Sequence, residues 1–265
     1  MIDPRAEIHP SAKIADNVSV GPWTVIGEDV VLGEGCVIGS HCNIQGPSVF
    51  GKNNRVYPFC SLGEDTQDKK YQGEKSYLIV GDNNTFREFV TVQRGTHVDS
   101  ATRIGCNNHL MNYCHVAHDC ELGDYVVLSN NATLAGHVIV RNHATLGGFA
   151  AAHQFVQIGE YAYIGAKSAA YMDVIPCVTV AGERARVFGL NNVGLRRKGF
   201  DRDAMLLIKK AYTIVFHQGH TKDAAMQALA PLAAKLDVIQ KIIDAMRSST
   251  RGIAREENAI VSVDT

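Results

Sequence analysis

Residues 104–139 read IGCNNH LMNYCH VAHDCE LGDYVV LSNNAT LAGHVI when broken into sixes, and each block opens on an aliphatic residue: Ile104, Leu110, Val116, Leu122, Leu128 and Leu134. An amphipathic helix repeats at 3.6 residues and an alternating strand at two, so neither sustains a beat of six; short strands joined by turns do. Toward the N-terminus the same phase passes through Val98, Val92, Phe86 and Val80. Beyond a polar interruption it continues through Leu62, Val56, Phe50, Ile44, Ile38, Leu32, Ile26, Val20, Ile14 and Ile8. Toward the C-terminus it runs through Val140, Leu146, Ala152, Ile158 and Ile164. All 25 anchors are apolar in a chain that is 46% hydrophobic, a coincidence of roughly a few in a billion for independent positions. Such repetition implies a solenoid in which each unit buries its face against its neighbours. The expected fold is mainly β: a parallel β-helix domain over 1–190, followed by a small α-helical C-terminal domain over 191–265.

Two further slots of the hexad carry information. Glycine often follows the anchor, as at Gly21, Gly105 and Gly123, which suits a tight turn or a close backbone approach. Four residues after the anchor the side chain is small, and five of the seven cysteines (Cys36, Cys42, Cys60, Cys114 and Cys120) fall there beside alanines such as Ala132 and Ala144. A buried thiol in that slot is a small apolar filler. An odd number of cysteines without an export signal at Met1–Glu7 argues against a disulfide framework. The break at about 63–79 spans Glu64–Tyr71, too polar for a wall, and should project as a loop. Past Arg184 the repeat ends, and residues 201–217, 221–232 and 235–249 read as helices with Asp201 and Thr221 as N-caps.

The net charge of −1 gives no reason to expect a nucleic-acid partner. No run approaches 18 uninterrupted apolar residues, so a cytoplasmic protein without stable membrane insertion is expected.

The pattern resembles the hexapeptide-repeat family, whose members form a left-handed β-helix with three hexads, and so 18 residues, per coil. On that spacing the hexads opening at Val116, Leu134 and Ala152 stack on one side. They bring His118, His137 and His153 into one strip, with His115 at the preceding corner. One wall is an incomplete pocket, and a loop or another subunit must supply the second.

More specific segments are Asn112-Tyr-Cys-His115-Val-Ala-His118-Asp119-Cys, Asn130-Asn-Ala-Thr-Leu-Ala-Gly136-His137-Val and Ala152-His153-Gln154-Phe155. With them stand Gln67-Asp68-Lys69-Lys70-Tyr71 and Phe188-Gly189-Leu-Asn191-Asn-Val193-Gly194-Leu-Arg-Arg197. Together these resemble the UDP-N-acetylglucosamine acyltransferases, over essentially the whole chain. The resemblance implies a cytoplasmic, homotrimeric enzyme without cofactor or metal. Such an enzyme moves an (R)-3-hydroxyacyl chain from acyl carrier protein to the sugar's 3-hydroxyl, the first step of lipid A biosynthesis. A sugar hydroxyl attacks a thioester only as its proton leaves, and a histidine suits that task with a pKa of ~6.5.

The resemblance makes His118 the general base, Gly136 the backbone oxyanion donor, and Asp68 or Asp119 the carboxylate that orients the imidazole. It makes Lys70, His115, His137, His153, Gln154, Asn191 and Arg197 substrate contacts. Ala166 and Arg184 fall where the family sets acyl length, and the basic run Arg196-Arg197-Lys198 is a candidate surface for the acidic carrier.

Two positions depart from the family pattern. Gln93 stands where a histidine is usual, and Val193 where an acidic residue is usual. They leave open an acceptor bearing a 3-amino group, which would give an amide. Two more distant alternatives are a hexapeptide-repeat zinc carbonic anhydrase, holding the metal with three histidines from adjoining subunits, and a nonenzymatic scaffold.

Overall fold

The structure is a computed structural model that describes residues 1–257; the last eight residues assigned to the C-terminal domain lie outside them. Short strands, most of two residues, assemble into three sheets of nine, eight and ten strands. Up to the last coil the strands pair in parallel with those a full coil further on, so that Val92, Val116, Leu134, Ala152 and Ala170 are stacked in register. The amide of His115 donates to the carbonyl of Ala132 at 3.0 Å and that of Thr133 to Ala150 at 2.9 Å. Anchors and small-slot residues fill the axis: Cys114, Val116, Cys120, Ala132, Leu134 and Ala150 are all buried. Burial pushes the Cys114 and Cys120 thiols up to about 12, so both remain protonated fillers at neutral pH.

What ends each strand is the residue three beyond the anchor. Tyr113, Asp119, Tyr125, Asn131, His137 and His143 all have φ between 58° and 63°, a left-handed conformation unfavourable for residues with a Cβ. The repeated backbone bonds hold it, and the outward side chains stack: Phe59 on Phe89 at 5.1 Å, Phe89 on Tyr113 at 4.8 Å, and His143 between Tyr125 and Tyr161 at 4.9 Å from each. Of the two readings of the glycine slot, close approach is therefore the right one. A Cβ on Gly21 would stand 2.8 Å from the backbone of Gly39 one coil above.

Two expectations need correction. The projecting segment is shorter than 63–79, because strands Ser61–Glu64 and Tyr77–Val80 continue the wall and leave 65–76 outside it. Val98 is no anchor: it is 66% exposed. Strand Thr91–Gln93 pairs with a strand whose partner residues lie 24 positions on, against 18 for a plain coil. A second excursion of six residues thus lies between Gln93 and Ala101, and because its length equals the repeat, the phase passes through it unbroken.

The coil closes with an antiparallel pair, Val178–Ala181 with Arg186–Leu190. Four helices follow: α1 (Asn192–Arg197), α2 (Arg202–Phe216), α3 (Lys222–Ala233) and α4 (Asp237–Ser248). Asp201 and Thr221 cap α2 and α3 as expected, accepting from the amides of Ala204 and Ala224. The short α1 was not foreseen; six residues with Gly194 among them show no helical period. Helix α4 buries Val238, Ile239, Ile242, Ile243 and Met246, and its Lys241 meets Glu160 of the coil at 2.7 Å. No helix among the described residues is long and apolar enough to cross a membrane.

Val98 and Leu128 share the six-residue phase but differ in burial, which separates them by experiment. Leu128→Ala should destabilise the fold by about 2–5 kcal/mol, whereas Val98→Ala should stay within about 0.5 kcal/mol of the parent. Urea unfolding followed by circular dichroism reads both; an equal loss in the two variants would contradict the second excursion.

Candidate active site

The strip of four histidines is only partly assembled. Strands His115–Val116, Thr133–Leu134 and Ala151–Ala152 do stack, but the 18-residue register carries position 118 onto Gly136 and Gln154, not onto His137 and His153. His137 falls instead above Asp119, and His153 above Ala135. The cleft of about 510 Å³ at this corner is lined by Gln67, Asp68, Lys69 and Lys70 of the projecting loop, by Gln93, and by His115, Ala117, His118, Ala135, Gly136 and Gln154 of the coil.

His118 is buried, and its Nδ1 lies 2.8 Å from Oδ2 of Asp119. Adjacent side chains rarely converge, and the left-handed φ of Asp119 is what folds its carboxylate back to the imidazole. The Asp119 amide donates to Thr102 Oγ1 at 2.8 Å, and its carboxylate accepts the Thr96 amide at 3.2 Å. Burial alone would raise the pKa of Asp119. Hydrogen bonds from His118, Ser100 and Thr96 outweigh it and hold the group below its ordinary value. Asp68, the other expected carboxylate, accepts the Lys70 amide at 3.0 Å instead.

With Nδ1 engaged, the free edge of the ring is Nε2, and it lies against Gly136. A Cβ on Gly136 would stand 2.5 Å from that nitrogen and 2.4 Å from Cε1. The glycine is thus required to make room for the imidazole. Among the described residues the Gly136 N–H meets no acceptor, and neither does the equivalent N–H of His118 or Gln154. The corner therefore offers a donor beside a base.

His115 accepts or donates a 2.7 Å bond between Nδ1 and Thr91 Oγ1, and burial followed by the neighbouring His118 lowers its pKa. His137 stacks on Phe155 at 4.6 Å and stands edge-on to His118 at 5.1 Å. Its Nε2 is 3.8 Å from Asp119, and burial lowers its pKa. His118, Asp119 and His137 are the group whose ligand atoms, within 4.8 Å of one another, could meet a metal ion. His153 stands apart from this group in the chain: it is exposed and lies over Tyr171 at 5.5 Å.

Comparison with known proteins shows the family to which this coil belongs. The family profile described as bacterial transferase hexapeptide (six repeats) matches residues 11–46 and 101–136, and that described as Udp N-acetylglucosamine O-acyltransferase, Domain 2 matches residues 173–254. A protein of Stutzerimonas stutzeri named as an acyl-(acyl-carrier-protein)–UDP-N-acetylglucosamine O-acyltransferase is 46% identical over 256 residues, covering 96% of this chain and 99% of its own. The chain belongs to the UDP-N-acetylglucosamine acyltransferase family. A Halorhodospira halophila protein of the same name is 49% identical over 80% of this chain and 82% of its own. The solved UDP-N-acetylglucosamine acyltransferase of Francisella novicida superposes with a TM-score of 0.93 at 36% identity, covering 98% of this chain and 95% of that one. The coil is accordingly the left-handed β-helix of this family.

The remaining expected residues lie away from the cleft. Asn191 is the N-cap of α1: its Oδ1 accepts the Gly194 amide at 3.0 Å and its Nδ2 donates to Tyr161 O at 2.9 Å. Arg197, in the last turn of α1, and Val193 are exposed. Ala166 is exposed next to Gly147, and Arg184 borders a groove with Tyr171, Met172 and Arg255. Sequence reasoning missed Thr91, Thr96 and Thr102. They lie in or beside the six-residue excursion, whose hidden phase removed the only signal of its presence.

Two outcomes follow. Gly136→Ala should fold, because φ there is not left-handed, yet should displace the His118 ring and break its contact with Asp119; the imidazole nitrogen shifts of His118 in NMR would show it, and an unmoved ring would contradict the packing. For Asp119 the folded pKa is depressed, so its contribution to stability is present above the unfolded value of ~3.9 and is lost as pH falls through the lower folded value. The stability gap between the parent and Asp119→Asn should therefore be full at neutral pH and close in acid, as urea midpoints across pH would record.

Proposed function

We propose that the chain transfers an (R)-3-hydroxyacyl group from acyl carrier protein to the 3-hydroxyl of UDP-N-acetylglucosamine, the first step of lipid A biosynthesis. The observation that carries this reading is the His118–Asp119 pair set against Gly136 in a member of this family. In the proposed step, His118 Nε2 takes the hydroxyl proton as the oxygen attacks the thioester carbonyl. The new C–O bond places negative charge on the carbonyl oxygen, which the Gly136 N–H stabilises. Collapse breaks the C–S bond, and the imidazolium returns the proton to the departing thiolate. Asp119, by its contact with Nδ1, takes the orienting role and offsets the imidazolium charge. Asp68 lines the cleft with Lys70, whose cation suits a phosphate oxygen.

The relatives are named as O-acyltransferases, which favours an ester over the amide of a 3-amino acceptor. Gln93 is buried against the projecting loop, accepting the Gln67 amide at 3.3 Å, so this departure serves the loop as well as the cleft.

Assembly into a homotrimer is part of the same reading. Helix α1 follows the corner of Tyr125, His143 and Tyr161: Lys198 lies over the Tyr125 ring at 5.4 Å, and Phe200 packs edge-on to Tyr161 at 5.1 Å. His118 occupies another corner. Arg197 and Asn191 could then serve a cleft only as the second wall of a neighbouring copy, with Arg196-Arg197-Lys198 near the incoming acidic carrier. His153 and Gln154, and Ala166 with Arg184 for chain length, keep their proposed roles along that shared cleft. A coil domain to about residue 190, a helical domain from 191, and a cytoplasmic location complete the proposal.

Incubating the protein with UDP-N-acetylglucosamine or its 3-amino analogue and a series of hydroxyacyl carrier proteins, with products read by mass spectrometry, tests the reaction. Ester formation is expected, and His118→Ala should lower kcat by about 10²–10⁴-fold with the fold unchanged. Full activity in that variant would remove histidine-base catalysis, and exclusive amide formation would replace the acceptor.

A further inference from the structure

We propose that Arg94 is a positioning residue for the transfer, a buried clamp that holds the projecting loop 65–76 where Gln67, Asp68, Lys69 and Lys70 line the cleft. The inference rests on reading that cleft as the substrate site. The side chain of Arg94 is 9% exposed, against 61% for its partner Asp65. One guanidinium nitrogen donates to the carbonyl of Gly63, where the loop leaves the wall. The other donates to the carboxylate of Asp65 and reaches the Tyr71 hydroxyl at 3.4 Å. The Tyr71 hydroxyl in turn lies 3.1 Å from both Asp65 Oδ1 and the carbonyl of Glu74, its single proton shared between these two acceptors. A single planar cation therefore ties the outgoing strand, the start of the loop and, through Tyr71, its return.

The loop has no strand or helix of its own, and ordering a dozen residues costs conformational entropy that must be offset by contacts at its base. Arg94 supplies them from inside the wall, with its own amide bonded to Glu64 O at 3.0 Å. Its neighbours extend the same seam: Gln93 accepts the Gln67 amide, and Thr96 Oγ1 meets Thr66 Oγ1 at 3.4 Å. The Thr96 amide on the other side bonds Asp119. Residues 93–96 thus face the loop on one side and the His118–Asp119 pair on the other. Lysine cannot reproduce this, because a point-like ammonium cannot span the Gly63 carbonyl, the Asp65 carboxylate and the Tyr71 hydroxyl as a planar fork does.

The test compares the full-length protein with Arg94→Lys, which keeps the charge, and Asp65→Asn, which changes an exposed partner. Trypsin cleavage after Lys69 and Lys70 reads loop release without any reference to activity, and steady-state kinetics read its consequence. In Arg94→Lys, cleavage is expected to quicken about tenfold. KM for UDP-N-acetylglucosamine should rise about tenfold with kcat within about threefold and the pH profile of kcat unmoved. Asp65→Asn should move both readouts in the same direction by less. Unchanged cleavage and KM in both variants would overturn the clamp, as would a fall in kcat with KM untouched. If Arg94→Lys fails to fold, Asp65→Asn and Tyr71→Phe carry the comparison. If the parent shows no transfer at all, the cleavage rates still decide whether Arg94 holds the loop, while the proposed function falls separately.

Discussion

Everything at the candidate site follows from one geometric constraint: each backbone segment hydrogen-bonds to the segment a coil above it, at the ~4.8 Å spacing of paired strands. A side chain at a corner must share its space with whatever occupies the same slot one coil later. At the corner of residues 118 and 136 the imidazole takes that space and glycine yields it, because a Cβ at 136 would fall within 2.5 Å of the ring. Among the described residues the same spacing leaves the glycine N–H without an acceptor next to the Nε2 edge of the histidine. A base and a hydrogen-bond donor thus become neighbours through the register of the wall.

The corner conformation then determines the electrostatics. A left-handed residue at 119 turns its carboxylate onto the histidine that precedes it. Burying a carboxylate is costly, and desolvation is the largest single influence on Asp119. It stays in the charged form because the Thr96 amide, Ser100 and His118 bond to it together. Two of those three donors come from the six-residue excursion between Gln93 and Ala101. That excursion is thus part of the support of the site and not a tolerated insertion.

The same register explains how much could be read in advance. Inward anchors such as Val116 and Leu134 are legible because burial demands an apolar side chain at every turn, and the cysteines at 36, 42, 60, 114 and 120 are legible as fillers for the same reason. Val98 was misread because an insertion of one repeat length leaves the phase intact. The histidine strip was half right: His115 and His118 reach the cleft, whereas His153 sits above Ala135 and faces Tyr171. That Asp119 meets the imidazole while Asp68 does not depends on a backbone dihedral, which no spacing discloses. Asn191 looked like a ligand-facing amide and is first of all a helix cap.

A cleft on the flank of a single coil leaves a thioester open to water on its far side, and hydrolysis would compete with the sugar hydroxyl. Lys69 and Lys70 are the loop's cations at this cleft, while Arg196, Arg197 and Lys198 follow a different corner with α1. A nucleotide pyrophosphate calls for a fork of donors in addition to the point charges of two loop ammoniums. Joining the two corners across neighbouring copies would provide those donors and close the cleft in one step. The proposed trimer and the proposed chemistry therefore depend on each other: without the second wall, the His118 corner holds an imidazole and a backbone N–H but too little to hold the substrate on which the proposal has them act.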